Sequence, residues 1–215
     1  MNLVLDATYF GREYGYFCFS DSKKIIYYQE IKTEGIAVLK RCLNEIEQLG
    51  YSFRSFILDG KRGFINNLKK LYPGKPIQMC HFHQKAIIRI YITNNPKSDC
   101  AFELKELMKG LSTIEPQEFI DQLYYLKDKY KLFLLKRNDK QDFKHKAVRS
   151  AFASLTYNLE YLFSYKEHPD LNIPNTTNDL EGKFSHIKEK IKLHRGLRLD
   201  RKKKAVEFLL KSYME

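Results

Sequence analysis

Residues 1–31 read MNLVLDATYFGREYGYFCFSDSKKIIYYQEI. Three apolar, aromatic or β-branched runs stand in this stretch at close spacing: Leu3–Thr8, Tyr14–Ser20 and Lys24–Ile31. The Gly11–Gly15 segment supplies a turn before the second run, and Asp21-Ser22 a turn before the third. The reading is a meander of three antiparallel strands. The period then changes. Ile36, Leu39, Leu43, Ile46 and Leu49 recur at three and four, and Gly50 closes the helix they predict. Phe53–Leu58 is a fourth strand that ends at Asp59-Gly60. Phe64, Leu68 and Leu71 mark a short helix stopped by Pro73-Gly74, and Pro76–Cys80 is a fifth strand. The order β-β-β-α-β-α-β predicts an α/β chain with a five-stranded mixed sheet.

Beyond His81 the strand signals stop. Apolar residues at helical spacing run to about Tyr165, for example Phe102, Leu104, Leu107, Leu111 and Ala147, Ala151, Leu155, Leu159, Leu162. Pro96 and the stretch Ser112–Pro116 punctuate them, with Ser112 or Thr113 as a candidate cap for the next helix. A polar loop, His168–Asn178, precedes a last helical segment that starts at Asp179, breaks near Gly196 and resumes from Asp200 to Tyr213. Three antiparallel strands followed by alternating helix and strand are the order of the ribonuclease-H-like fold. The expected division is the first part of such a core in 1–84, an all-helical insertion in 85–167, and the last catalytic helix with a basic C-terminal segment in 168–215.

The 215 residues carry 38 Lys and Arg against 26 Asp and Glu, a formal charge of +12. That excess favours a polyanionic partner. The hydrophobic fraction of 43% is enough to build a core, which excludes a disordered basic tail. No apolar run reaches the roughly 20 residues of a membrane span, and no basic region precedes the apolar start, so neither a membrane protein nor a secreted one is expected. Cys18, Cys42, Cys80 and Cys100 form no C-x-x-C pair. Free thiols in a reducing, cytoplasmic compartment are the expectation.

The acids that can carry chemistry follow from the strands. Asp6 lies within or just past the first strand and Asp59 at the end of the fourth. Where those strands are neighbours, the two carboxylates converge, and convergent carboxylates are hard oxygen ligands for divalent cations. Two such ions about 3.5–4 Å apart activate a nucleophile and stabilise the leaving oxygen of a phosphodiester. Asp59 is also a candidate N-cap for the helix that begins near Lys61. The third acid is expected from a late helix. Glu181 stands there, with Asp179 as competitor and with a capping box, Asn178 paired to Glu181, as the alternative reading.

The segments LDATYFGR (Leu5–Arg12), ILDGKRG (Ile57–Gly63), MCHFHQ (Met79–Gln84) and NTTNDLEGKFSHIKEKIKLHRGL (Asn175–Leu197) together resemble the DDE transposases of bacterial insertion sequences, in particular the Mutator-like (MULE) branch. The resemblance covers almost the whole chain. It implies that Asp6, Asp59 and Glu181 are catalytic and ligate two Mg²⁺ (or Mn²⁺) ions. Cys80 and His83 match the Cys-or-Asp, two residues, His signature of the family, which implies that both are DNA-binding residues, with His83 beside the active site, touching DNA or positioning the third acid. The 121 residues between Asp59 and Glu181 suit members with a helical insertion. A zinc site at Cys80 and His83 would need two further ligands, of which only His81 suggests itself. The implied reaction is metal-dependent cleavage at transposon ends followed by attack of the freed 3′ hydroxyl on target DNA, with a homodimer joining the two ends.

Between Glu181 and Lys204 ten Lys and Arg face three acids. Lys183, Lys188, Lys190, Lys192, Arg195 and Arg198 are the candidate phosphate contacts, with Lys188, Lys192 and Arg195 at helical spacing. Family members carry a DNA-binding domain ahead of the core, and here Asp6 is the sixth residue. Recognition of terminal repeats by this chain alone is therefore expected to be weak or missing. A ribonuclease-H-like nuclease and a non-enzymatic DNA-binding regulator are the competing readings.

Overall fold

Side chains along a strand alternate between its two faces, and this chain covers the two faces of its sheet with different helices. The computed structural model describes residues 1–194 and 196–215. β1 (Asn2–Phe10), β2 (Tyr14–Ser20) and β3 (Ile25–Ile31) form the meander. α1 (Ile36–Gln48) leads to β4 (Ser55–Leu58), and α2 (Arg62–Leu71) leads to β5 (Ile77–Met79). The strands join in one open sheet in the order β3-β2-β1-β4-β5. β1–β2 and β2–β3 are antiparallel, while β1–β4 and β4–β5 are parallel. The chain is thus an α/β protein with a five-stranded mixed sheet, and the elements read from the sequence differ from those observed only at their ends.

The helices that follow are α3 (His81–Ile92), α4 (Asp99–Lys109), α5 (Pro116–Lys129), α6 (Lys131–Leu135), α7 (Lys146–Leu162), α8 (Ser164–Glu167), α9 (Asn178–Leu193) and α10 (Leu199–Ser212). Ser112 and Thr113 do not cap the next helix. α5 starts after Glu115 with Pro116 in its first turn, where a missing N–H costs nothing.

Leu3, Leu5, Phe17, Phe19, Phe56 and Leu58 pack on one side of the sheet against Leu39, Leu43, Phe64 and Leu68 of α1 and α2. The same core continues into Ile88, Leu104, Phe119 and Leu155, so the helices of 85–167 share a core with the sheet rather than enclosing one of their own. Val4, Tyr16, Cys18 and Ile57 face the other side, under Leu180, Phe184 and Ile187 of α9 and Val206 and Leu210 of α10. Each such side chain is worth about 1.5–3 kcal/mol when fully buried. This second layer is what fixes α9 above β1 and β4. All four cysteines are buried free thiols. Among the described residues no helix is long and apolar enough to cross a membrane.

Candidate active site

β1 and β4 run parallel with Asn2 opposite Ser55, Leu3 opposite Phe56 and Val4 opposite Ile57. Two residues further along each chain, the same register brings Asp6 level with Asp59. Alternation puts Asp6 on the face of Val4 and Asp59 on the face of Ile57, which is the face covered by α9. Pairing with β4 ends after Val4, while β1 runs on to Phe10 paired to β2 alone. The two strands therefore part where the acids stand.

Asp59 is not an N-cap. Its Oδ1 accepts a hydrogen bond from the Lys61 N–H at 3.0 Å in an Asx turn, and Lys61 itself precedes the first turn of α2. Gly60 follows at φ +85°, and a Cβ there would lie 2.5 Å from Cε of the buried Met79. Asp6 Oδ1 accepts from the Ala7 N–H at 2.8 Å. Burial, above all, pushes the Asp6 carboxyl up to about 7; the His83 charge opposes this, and the charges of Asp59 and Glu181 add to it. Asp6 thus lies within the field of all three partners.

Glu181 enters from the first turn of α9. The N-cap of that helix is Thr177, not Asn178, and its side chain makes no capping bond. Instead the Thr177 hydroxyl donates to Glu181 Oε1 at 3.1 Å, and its backbone N–H donates to Cys80 Sγ at 3.3 Å. Thr177 thereby ties the start of α9 to the end of β5. His83 Nδ1, buried and without a hydrogen-bond partner, stands 3.6 Å from Glu181 Oε1. Burial lowers the His83 imidazole, but hydrogen bonding and charge from Cys80, with the charges of Asp6 and Glu181, outweigh it and hold the group at about 9. Burial likewise raises the Cys80 thiol, yet hydrogen bonds from His83 and Thr177 bring it below its ordinary value.

The ligand atoms of Cys80, His83 and Glu181 all lie within 4.8 Å of one another, and this group can hold a metal ion. Thiolate, imidazole and carboxylate together are a zinc-like donor set rather than a magnesium one. The donor atom that joins Cys80 and His83 belongs to Glu181 and not to His81, whose ring is turned away between Ser112 Oγ at 3.1 Å and the Leu162 carbonyl at 2.6 Å. Asp6, Asp59 and Glu181 do not close into a comparable set among the described residues. The Glu181 carboxylate is instead in contact with His83 and Thr177.

The other sequence candidates separate by accessibility. Asp179 is paired with Lys183 and accepts from Ser20 Oγ at 3.4 Å. Lys183 also donates to the Lys23 carbonyl at 3.0 Å, and its side chain is only 10% exposed; it has no free face for a phosphate. Cys80 is fully buried and cannot touch DNA. Lys190 is exposed, and Arg198 is exposed beside Asp200 at 3.7 Å. Arg195 lies outside the described residues. Lys188 and Lys192 line a groove of about 580 Å³ together with Tyr9, Phe10, Tyr14 and Lys202. That aromatic wall and the role of Thr177 were not found from the sequence. The signal for the first was the aromatic β1–β2 turn itself; Thr177 looked like any polar loop residue.

Neither protein-family models nor curated proteins match this sequence.

Proposed function

We propose that the chain is the catalytic core of a DDE-type transposase of ribonuclease-H-like fold, close to the Mutator-like branch, acting on DNA phosphodiesters. The observation that carries this reading is the β1–β4 register, which brings Asp6 level with Asp59 on the face covered by the helix that bears Glu181. In this reading Asp6, Asp59 and Glu181 hold Mg²⁺ or Mn²⁺, which when bound supply activation of the attacking oxygen and stabilisation of the leaving one. Asp6 becomes a good ligand once it has lost its proton, above about pH 7. Glu181 exchanges its contact with His83 for a place beside the aspartates, and His83 is the positioning residue for that exchange. Lys188, Lys192 and Lys202 hold the strand by its phosphates, with bases against Tyr9 and Phe10.

One observation favours a second reading. Glu181 is engaged by His83 and Thr177, which suits a DNA-binding protein that does not cut. Nicking of supercoiled plasmid in Mg²⁺ or Mn²⁺, and strand transfer of a pre-nicked end, decide between them. Nicking that disappears in Asp59→Asn supports the enzyme. Nicking that persists in Asp59→Asn removes the catalytic assignment, and tight DNA binding with no nicking by the unaltered chain supports the second reading.

A further inference from the structure

α3 and α4 enclose a cleft of about 370 Å³ whose lining is separate from the groove of Lys188 and Lys192. Lys85 and Arg89 stand one turn apart on α3, and Lys105 and Lys109 one turn apart on α4, all four lining the cleft. No carboxylate lines it. Lys85 Nζ reaches only Ser112 Oγ, at 3.5 Å, and Lys105 Nζ donates to the Asn94 carbonyl at 2.5 Å. Only Lys109 meets an acid, Glu106 on its own helix at 2.7 Å. Like charges one turn apart oppose helix formation, and here two such pairs face a common space. Thr93, which also lines the cleft, sits at φ 62° and ψ 174°, a conformation that β-branched residues almost never adopt and that concentrates at ligand clamps. Ile88, Ile92 and Met108 lie buried beneath the basic residues.

We propose that this cleft is a second nucleic-acid site, which takes the sugar–phosphate backbone of a single strand outside the active centre. The charge calls for several phosphates at once. An i,i+4 pair advances about 6 Å along its helix, a step that successive phosphates of a stretched strand match. A cleft of about 370 Å³ between two helices has room for one sugar–phosphate backbone and not for the two of a duplex. The proposal rests on the reading above for the nature of the polyanion; the cleft's own charge and size set the form it takes.

The test is fluorescence anisotropy of a labelled single-stranded oligonucleotide, in EDTA, over a series of salt concentrations. The quadruple variant K85Q/R89Q/K105Q/K109Q is expected to lower the slope of log K against log salt by about 3, at roughly 0.7 per phosphate contact on a single strand. The milder R89Q/K109Q variant, altered only at exposed positions, is expected to lower it by about 1.4 and covers the case in which the quadruple variant does not fold. An unchanged slope in R89Q/K109Q overturns the proposal. So does displacement of the strand by micromolar inorganic pyrophosphate or ATP, which would mark a free-nucleotide site. Loss of slope in the cleft variants with no plasmid nicking by the unaltered chain sustains the cleft and sinks the transposase reading.

Discussion

His83 Nδ1 stands 3.6 Å from Glu181 Oε1, joining the first turn of α3 to the first turn of α9. Asp6 lies in the field of both. This relationship makes the candidate site an electrostatic unit in which one cation is shared among several acids, and its consequences are measurable without knowing the substrate.

Two protons are held in the native site above their ordinary range: on Asp6, raised from 3.8 to about 7 chiefly by burial, and on His83, raised from 6.5 to about 9. In both cases the folded protein binds the proton more tightly than the unfolded chain does. Stability of the metal-free protein therefore falls as pH rises, between about 4 and 7 through Asp6 and between about 6.5 and 9 through His83. Thermal denaturation in EDTA should show a falling Tm between about pH 4 and pH 7, the part set by Asp6; above that the fall through His83 is opposed by Cys80, whose lowered thiol adds stability as pH rises toward 9. Asp6→Asn should flatten the lower part of that profile. A Tm that climbs across this range would contradict the assignment.

Cys80 accepts the backbone N–H of Thr177 inside the protein. Cys80→Ala leaves that donor without a partner and should cost about 1–3 kcal/mol in urea denaturation. Cys80→Ser retains an acceptor and should lose less. Both substitutions should weaken zinc binding, measured by chelator competition, at least tenfold, since each removes the thiolate. Equal zinc affinity in all three proteins would show that Cys80 is no ligand.

The lysines of α9 divide into two kinds. Lys188 and Lys192 line the aromatic groove, and the K188Q/K192Q variant should reduce the salt slope of DNA binding by about 1.5 with little change in Tm. Lys183 is committed to Asp179 and the Lys23 carbonyl. Lys183→Gln should cost about 0.5 kcal/mol of stability and leave the slope as it is.

Gly60 combines a positive φ with Met79 at 2.5 Å from where a Cβ would sit. Gly60→Ala should lose about 1–3 kcal/mol and, by shifting Asp59, depress any metal-dependent nicking more than the stability loss accounts for. Nicking at the unaltered rate would detach Asp59 from the chemistry.

The strands and the first helix were legible because their periods, two and then three to four, are set by residues close in sequence. Asp6 was legible as an acid in an apolar strand run and Asp59 as an acid at a strand end beside Gly60. Their register was not, since it depends on which strands pair. The contact network of Thr177, Cys80, His83 and Glu181 spans about a hundred residues of chain and leaves no local pattern. Asn178 is the better cap on paper, yet Thr177 takes that position while its N–H and hydroxyl engage Cys80 and Glu181. Charge at helical spacing identified a basic helix, but it did not show that Lys183 would turn inward to Asp179 while Lys188 and Lys192 faced the groove.

The second layer of the core has an implication for synthesis on the ribosome. Val4, Tyr16, Cys18 and Ile57 emerge well before the residues that cover them, from Leu180 to Leu210. At translation rates of 5–20 residues per second the half-covered sheet waits on the order of ten seconds with one oily face bare. The nascent chain therefore shows for that time the kind of apolar surface that chaperones shield, and Glu181 reaches His83 only once the wait is over.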